Sequence, residues 1–224
     1  FNPICYGPEF ESNRILNIDE INDGIEILSL IEGEEHRFIL NTTAIHFANN
    51  ALGSLIVAKK LNCDMEKACA SLQAWVPGVG RGSIKKMNLT KIGLITLIDD
   101  GYNANPASVF SALVTLGKNK ANRRIAILGD MKELGPSGVD YHKQIASLPV
   151  MSKVDCIHTI GPLMEYLHDS LPKEKRGFHF KNSIDVVPLL GTILKGGDCL
   201  LTKASLSVGM QVILEAIFSL ECPE

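Results

Sequence analysis

The sequence lacks an excess of either charge. It has 22 Lys and Arg residues against 25 Asp and Glu residues, a formal net charge of −3 over 224 residues. Basic residues cluster no further than pairs, as in Lys59-Lys60, Lys85-Lys86 and Arg123-Arg124. A nucleic-acid-binding surface needs a larger basic patch than these pairs provide. The charge pattern therefore predicts no nucleic acid partner.

Long apolar runs are also missing. No apolar stretch approaches the roughly 18 residues that a membrane-spanning helix requires, so the sequence predicts no membrane span. The first residues, Phe1-Asn2-Pro3, resemble neither a signal peptide nor a natural initiation site. We therefore expect a cytoplasmic protein, and we expect that the sequence is a fragment or a trimmed chain.

Paired cysteines are absent as well. The six cysteines are scattered along the chain, with no C-x-x-C pair and no metal-type spacing to histidine. Cys156 and Cys199 fall inside apolar stretches, where a free thiol behaves as a small hydrophobic side chain. We expect structural thiols rather than disulfides or a metal site, which is the pattern of a cytosolic protein.

A phosphate-binding loop of the Walker A type is missing from the sequence as well. That loop requires G-x-x-x-x-G-K-[ST], whose backbone N–H groups and lysine hold the phosphates. The pair Gly117-Lys118 is followed by Asn119, and Ala112 stands where the first glycine is required. The glycine-rich stretch 78–82 has neither this spacing nor G-x-G-x-x-G. The sequence thus supplies no phosphate loop of its own.

From about residue 94 onward, apolar strand patterns alternate with amphipathic helix patterns. Strands are predicted at 94–99, 123–129, 154–160, 177–181 and 198–203, and helices at 106–117, 137–148, 162–171, 183–194 and 206–220. Regular alternation of this kind, with continuous apolar strands, is typical of a parallel sheet covered by helices on both faces. The sequence predicts a Rossmann-like α/β domain here.

The first 90 residues follow another pattern. Short alternating runs at 25–30 and 36–40, separated by Gly33-Glu34, predict a hairpin within residues 13–42. Amphipathic helices are predicted at about 44–61 and 64–74. This part is therefore a smaller mixed α/β region.

Two polar stretches follow predicted strands. Residues 99–108 read DDGYNANPAS, and Asn105 and Pro106 stand where a helix N-cap and first helical residue belong. Residues 126–135 read AILGDMKELG. Because ligands of open α/β sheets bind at the carboxyl ends of strands, the two stretches predict a site there.

Together the two stretches resemble the Mur ligases of peptidoglycan synthesis, in particular the branch that adds D-alanyl-D-alanine to UDP-N-acetylmuramoyl-tripeptide. IHFANNAL at 45–52, GVGRG at 78–82 and LTKAS at 201–205 resemble further motifs of that family. The resemblance covers roughly residues 40–220. It implies that residues 1–98 are the remainder of the central ATP-binding domain and residues 99–224 the C-terminal Rossmann-like domain.

The resemblance implies roles for the residues on the nucleotide side. Asp100 would contact the ribose, Arg81 a phosphate or the ribose, and Asn50 the adenine pocket. Taken alone, Asp100 could equally serve an Asx-type turn or N-cap, and Arg81 could be a solvated loop residue. Phe47 replaces an asparagine of the family motif, and His46 stands where a capping or packing residue is common.

The remaining candidates belong to the acceptor side. Lys203 is the expected catalytic residue, facing the cleft from the C-terminal domain, and Ala204 and Leu206 replace a glycine and an arginine of the family. The other implied acceptor or hinge-loop residues are Tyr102, Asn103, Asn105, Asp130, Glu133 and Ser205. His142 is expected to pack within its helix without a catalytic role.

A complete enzyme of this kind would use ATP and Mg²⁺ to phosphorylate the donor carboxylate of a UDP-MurNAc-peptide, which the amine of D-Ala-D-Ala then attacks. The implied setting is cell-wall synthesis, and with it cell shape and division. The phosphate loop, metal ligands and a modified lysine would precede Phe1, so we expect this chain alone to be inactive, monomeric and without a tightly bound cofactor.

Two alternatives stay open. One is another ligase of the Mur or folylpolyglutamate type, although those usually carry D-x-A-H-x-P where this sequence has YNANP at 102–106. The other is a binding module that kept the fold and lost the phosphate loop.

Overall fold

The computed structural model describes residues 3–22, 24–42, 45–76, 78 and 80–222. Val79, Ala44 and the side chain of His46, which enter the sequence predictions, lie outside the described part. The chain divides into two compact units, Phe1–Pro77 and Gly78–Glu224. The sequence placed a domain boundary at 98/99, twenty-one residues later than this division.

The first unit is a three-stranded antiparallel sheet packed against two helices. The strands β1 (Asn13–Ile21), β2 (Gly24–Ile31) and β3 (Glu34–Leu40) follow one another in space as in sequence, and α1 (His46–Lys60) and α2 (Met65–Gln73) come next. The hairpin β2–β3 and both helices agree with the sequence predictions. The sequence did not predict β1, which is half exposed and carries a bulge between Ile15 and Asn17.

The apolar core of the first unit explains why the alternation in β2 was informative. Ile25, Ile27 and Ile31 of β2 are fully buried, and they pack with Leu52 and Leu55 from the buried side of α1. Alternate residues of a strand point to one face, so a half-covered sheet shows this period of two in its sequence.

The second unit is a six-stranded sheet with helices on both faces. Its elements are β4 (Ser83–Leu89), β5 (Gly93–Asp100), α3 (Pro106–Lys118), β6 (Arg123–Gly129), α4 (Gly138–Gln144), β7 (Cys156–Ile160), α5 (Pro162–Ser170), β8 (Arg176–Phe180), α6 (Leu190–Ile193), β9 (Asp198–Lys203) and α7 (Gln211–Ser219). The strand order is β4-β5-β9-β6-β7-β8. Five strands are parallel, as predicted, and the core divides into one cluster on each face of the sheet.

The edge strand β4 was not predicted, and it runs antiparallel to β5. Its sequence SIKKMNL is mostly polar, and within it only Met87 and Leu89 are buried. An edge strand has neighbours on one side alone, so exposed lysines are tolerated there and keep other chains from pairing with it. The prediction of a purely parallel sheet was therefore wrong at this edge.

Three predicted helices are shorter than expected. The one predicted at 137–148 is α-helical over Gly138–Gln144 and continues as a 3₁₀ turn at Ile145–Ser147. Residues Ser183–Leu189 form a 3₁₀ helix that contains Pro188, and α6 then adds only one turn. Gly209 adopts a left-handed conformation (φ 75°) and separates a short 3₁₀ turn at Leu206–Val208 from α7. Proline and left-handed glycine interrupt the α-helical hydrogen-bond pattern although the apolar spacing continues.

No helix in the described part of the chain combines the length and apolar character needed to span a bilayer.

His158 in β7 is a buried titratable residue of the second unit, 4% exposed. Its Nδ1 accepts a hydrogen bond from the backbone N–H of Phe178 at 3.0 Å, and its ring stacks on that of Phe178. Burial, followed by the charge of Arg123, lowers the pKa of His158 from 6.5 to about 4. The neutral imidazole is therefore the form that fits the folded protein.

We expect His158 to make the protein less stable in acid. Between pH 6.5 and pH 4 the unfolded chain binds a proton at His158 that the folded chain does not, so this contribution is complete above pH 6.5 and is lost as the pH falls. The full loss is about 3 kcal/mol. His158→Asn keeps an acceptor near Nδ1 but cannot titrate, so its free energy of unfolding should depend less on pH in that window. Equal pH slopes for both proteins in urea titrations would contradict the assignment.

Candidate functional site

The candidate site lies at the carboxyl ends of β5, β9 and β6 in the second unit. The strand β9 is between the other two, and Lys203, its last residue, is in register with Asp100 of β5 and Leu128 of β6. Polar side chains at the ends of three adjacent parallel strands meet at the same edge of the sheet. The sequence motifs at 99–105, 130–133 and 203–205 are brought together in this way.

A buried ion pair joins β5 to β9 at this edge. The Lys203 ammonium donates to Asp100 Oδ2 at 2.6 Å, and the Lys203 side chain is 1% exposed. The same Nζ lies 3.0 Å from the carbonyl oxygen of Asn103 and 3.4 Å from that of Asp100. An ammonium has three N–H donors, and here three protein oxygens surround it. The geometry is that of a group that holds the loop after β5.

Asp99, which precedes Asp100 in β5, accepts hydrogen bonds from backbone N–H groups instead of pairing with Lys203. Its Oδ2 accepts from the N–H of Gly80 at 3.1 Å and its Oδ1 from the N–H of Gly101 at 3.3 Å. Burial raises the pKa of Asp99, the two N–H donors lower it, and the neighbouring Asp100 charge raises it further. The sequence motifs gave no role to Asp99, although it stands beside Asp100 in the same motif.

Arg81 and Tyr102 form a stacked pair beside this carboxylate. The Arg81 guanidinium carbon lies 4.0 Å from the centre of the Tyr102 ring, a cation–π contact. The Tyr102 N–H donates to the carbonyl of Gly80 at 3.0 Å. Gly80 has φ 75°, and a Cβ there would lie 3.0 Å from the Tyr102 nitrogen, so the turn requires glycine. Both side chains are exposed and available to a ligand.

A cavity of about 230 Å³ adjoins these residues. Its lining has Asp99 and Gln211 as polar residues among glycines and larger apolar or aromatic side chains: Gly80, Gly101, Tyr102, Leu206, Gly209, Met210 and Leu214. Leu206, which replaces the arginine of the family motif, is 64% exposed. The wall that this residue forms is therefore apolar.

The rest of the loop after β5 is fixed by its own hydrogen bonds. Asn105 is the N-cap of α3 and forms a capping box with Ser108, with its Oδ1 2.8 Å from the Ser108 nitrogen. The predicted N-cap and the proline at the first helical position are confirmed. The Asn103 Oδ1 accepts from the N–H of Ala104 at 2.8 Å. The Tyr102 ring, Asn103 and Asn105 are the exposed polar or aromatic groups of this loop.

The second motif places Asp130 at the start of α5. Its fully buried Oδ1 accepts from the N–H groups of Leu163 and Met164 at 3.0 and 2.8 Å, and its Oδ2 pairs with Lys132 Nζ at 2.8 Å. A carboxylate at a helix N-terminus satisfies free N–H groups and is favoured by the helix dipole. The position of Gly161 allows this approach, since a Cβ there would lie 2.6 Å from Asp130 Cγ.

Glu133 on this loop has two further candidates near it, Ser205 after β9 and His142 in α4. Ser205 is buried and its Oγ accepts from the N–H of Lys132 at 2.9 Å, whereas Glu133 is exposed with φ 63°. His142 is fully buried, and its Nε2 accepts from the N–H of Met131 at 3.0 Å while Nδ1 lies 2.6 Å from the Gly138 carbonyl. His142 thus has a packing role, as the sequence suggested.

Asn50 belongs to the first unit, where it is exposed on α1. Its backbone carbonyl accepts from the Ser54 hydroxyl at 3.0 Å. Phe47, the departure from the family motif, is buried and packs edge-on against Trp75 at a centroid distance of 4.8 Å. Its aromatic ring therefore serves the core of the first unit.

Curated relatives match most of this chain in sequence. A Buchnera aphidicola protein named UDP-N-acetylmuramoyl-tripeptide–D-alanyl-D-alanine ligase is 30% identical over 203 residues, covering 90% of this chain and 42% of the relative. A Rickettsia prowazekii protein of the same name is 28% identical over 172 residues, covering 76% and 37%. The chain thus spans about two fifths of the length of these relatives.

Solved structures share the fold along nearly the whole chain. MurF from Acinetobacter baumannii superposes with a TM-score of 0.76 at 20% identity, covering 95% of this chain and 46% of that one. MurF from Thermotoga maritima, solved in complex with ADP, gives a TM-score of 0.73 at 20% identity, covering 96% and 48%.

The sequence profile described as Mur ligase, glutamate ligase domain, matches residues 86–206, which include both motifs and the end of β9. Since this match extends over more than half of the residues, the chain belongs to the Mur ligase family.

Proposed function

We propose that this chain is the C-terminal part of an ATP-dependent ligase that joins D-Ala-D-Ala to UDP-MurNAc-tripeptide in the cytoplasm. The observation that carries the proposal is the DDGYNANP loop, which the Lys203–Asp100 pair holds at the carboxyl end of the sheet. The names of the relatives that match most of this chain support the same substrates.

The proposed reaction forms an amide in two steps. The donor carboxylate attacks the γ-phosphorus of ATP, which releases ADP and leaves an acyl phosphate. The free amine of D-Ala-D-Ala then attacks the acyl carbon, phosphate departs, and the amine loses a proton. Catalysis in such a reaction depends mainly on positioning and on neutralising charge. Residues that bind and orient the two substrates are therefore the ones to seek on this chain.

We assign the nucleotide to the side of the site that carries Arg81 and Asp100. The adenine-pocket role of Asn50, a residue of the first unit, stays a prediction from the sequence. The Arg81 guanidinium is exposed, so it can donate charge-assisted hydrogen bonds to a phosphate or ribose oxygen. The acceptor dipeptide belongs to the side formed by Tyr102, Glu133 and the end of β9. Lys203 would act there if the loop opens its ion pair.

Magnesium would counter the charge of the phosphates during the transfer. Among the described residues, no three His, Cys, Asp or Glu side chains lie together in a way that could hold a metal ion. We assign the metal ligands and the phosphate loop to a preceding part of the parent protein. The parent is proposed to act as a monomer.

A second candidate function is a binding module derived from a ligase. The observation that favours it is the lack of a Walker A sequence in these 224 residues. The upstream reading frame of the gene separates the two proposals: a Walker A motif there favours the ligase, and an initiation codon just before Phe1 favours the module.

The full-length gene product should ligate D-Ala-D-Ala in preference to meso-diaminopimelate, glutamate or glycine. The measurement is phosphate release with ATP, magnesium and a UDP-MurNAc-tripeptide donor for each acceptor in turn. A higher kcat/KM for one of the three amino acids would point to another branch of the family.

The 224-residue chain alone should neither hydrolyse ATP nor ligate under the same conditions, because it contains no phosphate loop. Its purified form is the matched control for the full-length assay. Turnover by the isolated chain would show that residues other than a Walker A loop bind the phosphates of ATP.

Removing the Lys203 ammonium should destabilise the protein strongly. Lys203→Met leaves the Asp100 carboxylate buried without its cation, which costs about 3–5 kcal/mol. The control Lys85→Met removes the exposed pair with Glu221 and should cost less than ~1 kcal/mol. Urea titrations compare the two, and equal losses would argue against a structural role. The double variant with Asp100→Asn should recover part of the loss, because no unpaired charge is left.

A further inference from the structure

The junction between the turn around Gly80 and the loop after β5 depends on one buried carboxylate. Asp99 is 5% exposed and accepts one N–H from each side, from Gly80 at 3.1 Å and from Gly101 at 3.3 Å. The backbone of the same residue accepts the N–H of Gly82 at 2.8 Å. Three backbone N–H groups from two segments thus converge on Asp99.

The two segments that Asp99 joins carry the stacked pair. Arg81 lies between the two glycines whose N–H groups bond to Asp99, and Tyr102 directly follows Gly101. The Tyr102 N–H bonds back to the Gly80 carbonyl at 3.0 Å, so the two segments are also joined directly. The position of the Arg81 guanidinium 4.0 Å from the Tyr102 ring centre is therefore set by the backbone that Asp99 ties together.

We propose that Asp99 is a positioning residue, which holds Arg81 over Tyr102 and so orients the guanidinium toward the nucleotide. The link to the nucleotide rests on the proposed function, in which Arg81 contacts ATP. The geometric link does not, because it consists of the contacts within the second unit. Asp99 itself need not touch the substrate.

The cost of burying this carboxylate supports a role beyond stability. The pKa of Asp99 is raised, with burial as the largest cause. A carboxyl group whose folded pKa lies above its unfolded pKa contributes less stability as the pH rises through that window, so its ionised form is unfavourable to folding at neutral pH. A residue kept only for stability would not be expected to carry this penalty.

The test uses the full-length gene product and the variant Asp99→Asn, which keeps the size but can accept only one of the two N–H bonds through its oxygen. Hydrogen exchange at the amides of 80 and 101 should become faster. The KM for ATP should rise about 5- to 10-fold with kcat within about twofold, the pattern expected when an interaction common to ground and transition states is lost.

The double variant Asp99→Asn with Arg81→Ala decides whether Asp99 acts through Arg81. If it does, the KM of the double variant equals that of Arg81→Ala, because with the Arg81 guanidinium removed, Asp99→Asn has no further contact with ATP to disturb. Additive increases in KM would overturn the proposal. So would a KM unchanged by Asp99→Asn while exchange at 80 and 101 accelerates, because the carboxylate would then be structural only.

Two further variants control for a fold defect caused by Asp99→Asn. Gly80→Ala disturbs the same junction from the other side, through its φ of 75° and the close approach to the Tyr102 nitrogen, and should raise the KM for ATP even if Asp99→Asn folds poorly. The matched control is Asp198→Asn, a buried carboxylate that accepts from Lys195 N at 2.7 Å and from Arg123 near the opposite end of β9. It should lower Tm and leave the KM unchanged.

The same experiment separates this proposal from the proposed function. A wild-type protein that binds ATP but does not ligate D-Ala-D-Ala would overturn the proposed function alone. The calorimetric Kd for ATP then replaces the KM, and an affinity that Asp99→Asn does not change overturns the positioning role.

Discussion

The buried ammonium of Lys203 is the contact on which the site depends. It lies at the end of β9, with β5 on one side and β6 on the other, and it is surrounded by the Asp100 carboxylate and the carbonyl of Asn103. A charge in this place is tolerated only if its partners stay in position, because an unpaired buried ion costs several kcal/mol. Opening the loop after β5 would break this ion pair and leave a buried charge unpaired, so the free-energy cost of doing so keeps the loop attached to β9.

Two further carboxylates hold the loops at this edge of the sheet in place, independently of the Lys203 pair. On one side, Asp99 ties the glycine-rich turn to β5, and on the other, Asp130 receives the first N–H groups of α5. Both carboxylates accept from backbone donors, so each fixes the course of the chain, and Asp130 also pairs with the Lys132 side chain. Exposed groups such as Arg81 and Glu133 then project from a backbone that is held on the buried side.

The sequence predicted the parts of the fold that are set by short stretches of neighbouring residues. The parallel strands are continuous apolar runs because both of their faces are covered, and the start of α3 was marked by Asn105 and Pro106. The strand β4 was missed because an edge strand with one buried face and exposed lysines resembles a loop in composition. The helix predicted at 183–194 was wrong in type over Ser183–Leu189, because its apolar spacing continues through Pro188, and it is α-helical only at Leu190–Ile193.

The candidate site could be located from sequence, but the partners of its residues could not. Lys203 and Asp100 are about a hundred residues apart, and the pairing of β5 with β9 that joins them is set by the strand order. Which of the two adjacent aspartates faces Lys203 depends on the pleat of β5, since successive side chains point to opposite faces. The predictions for Arg81, Asp100, Lys203 and the acceptor residues thus gain a geometry here and stay predictions as to role.

The division of the chain at 77/78 has a practical consequence for dissecting it. A fragment beginning at residue 99 would lose β4 and nearly all of β5, which is the neighbour of β9 on one side. The backbone N–H and C=O groups on that side of β9, a fully buried strand, would then be open to pairing with other chains. Expression of the second unit by itself would for this reason favour aggregation from a start at 99, and solubility from a start at 78.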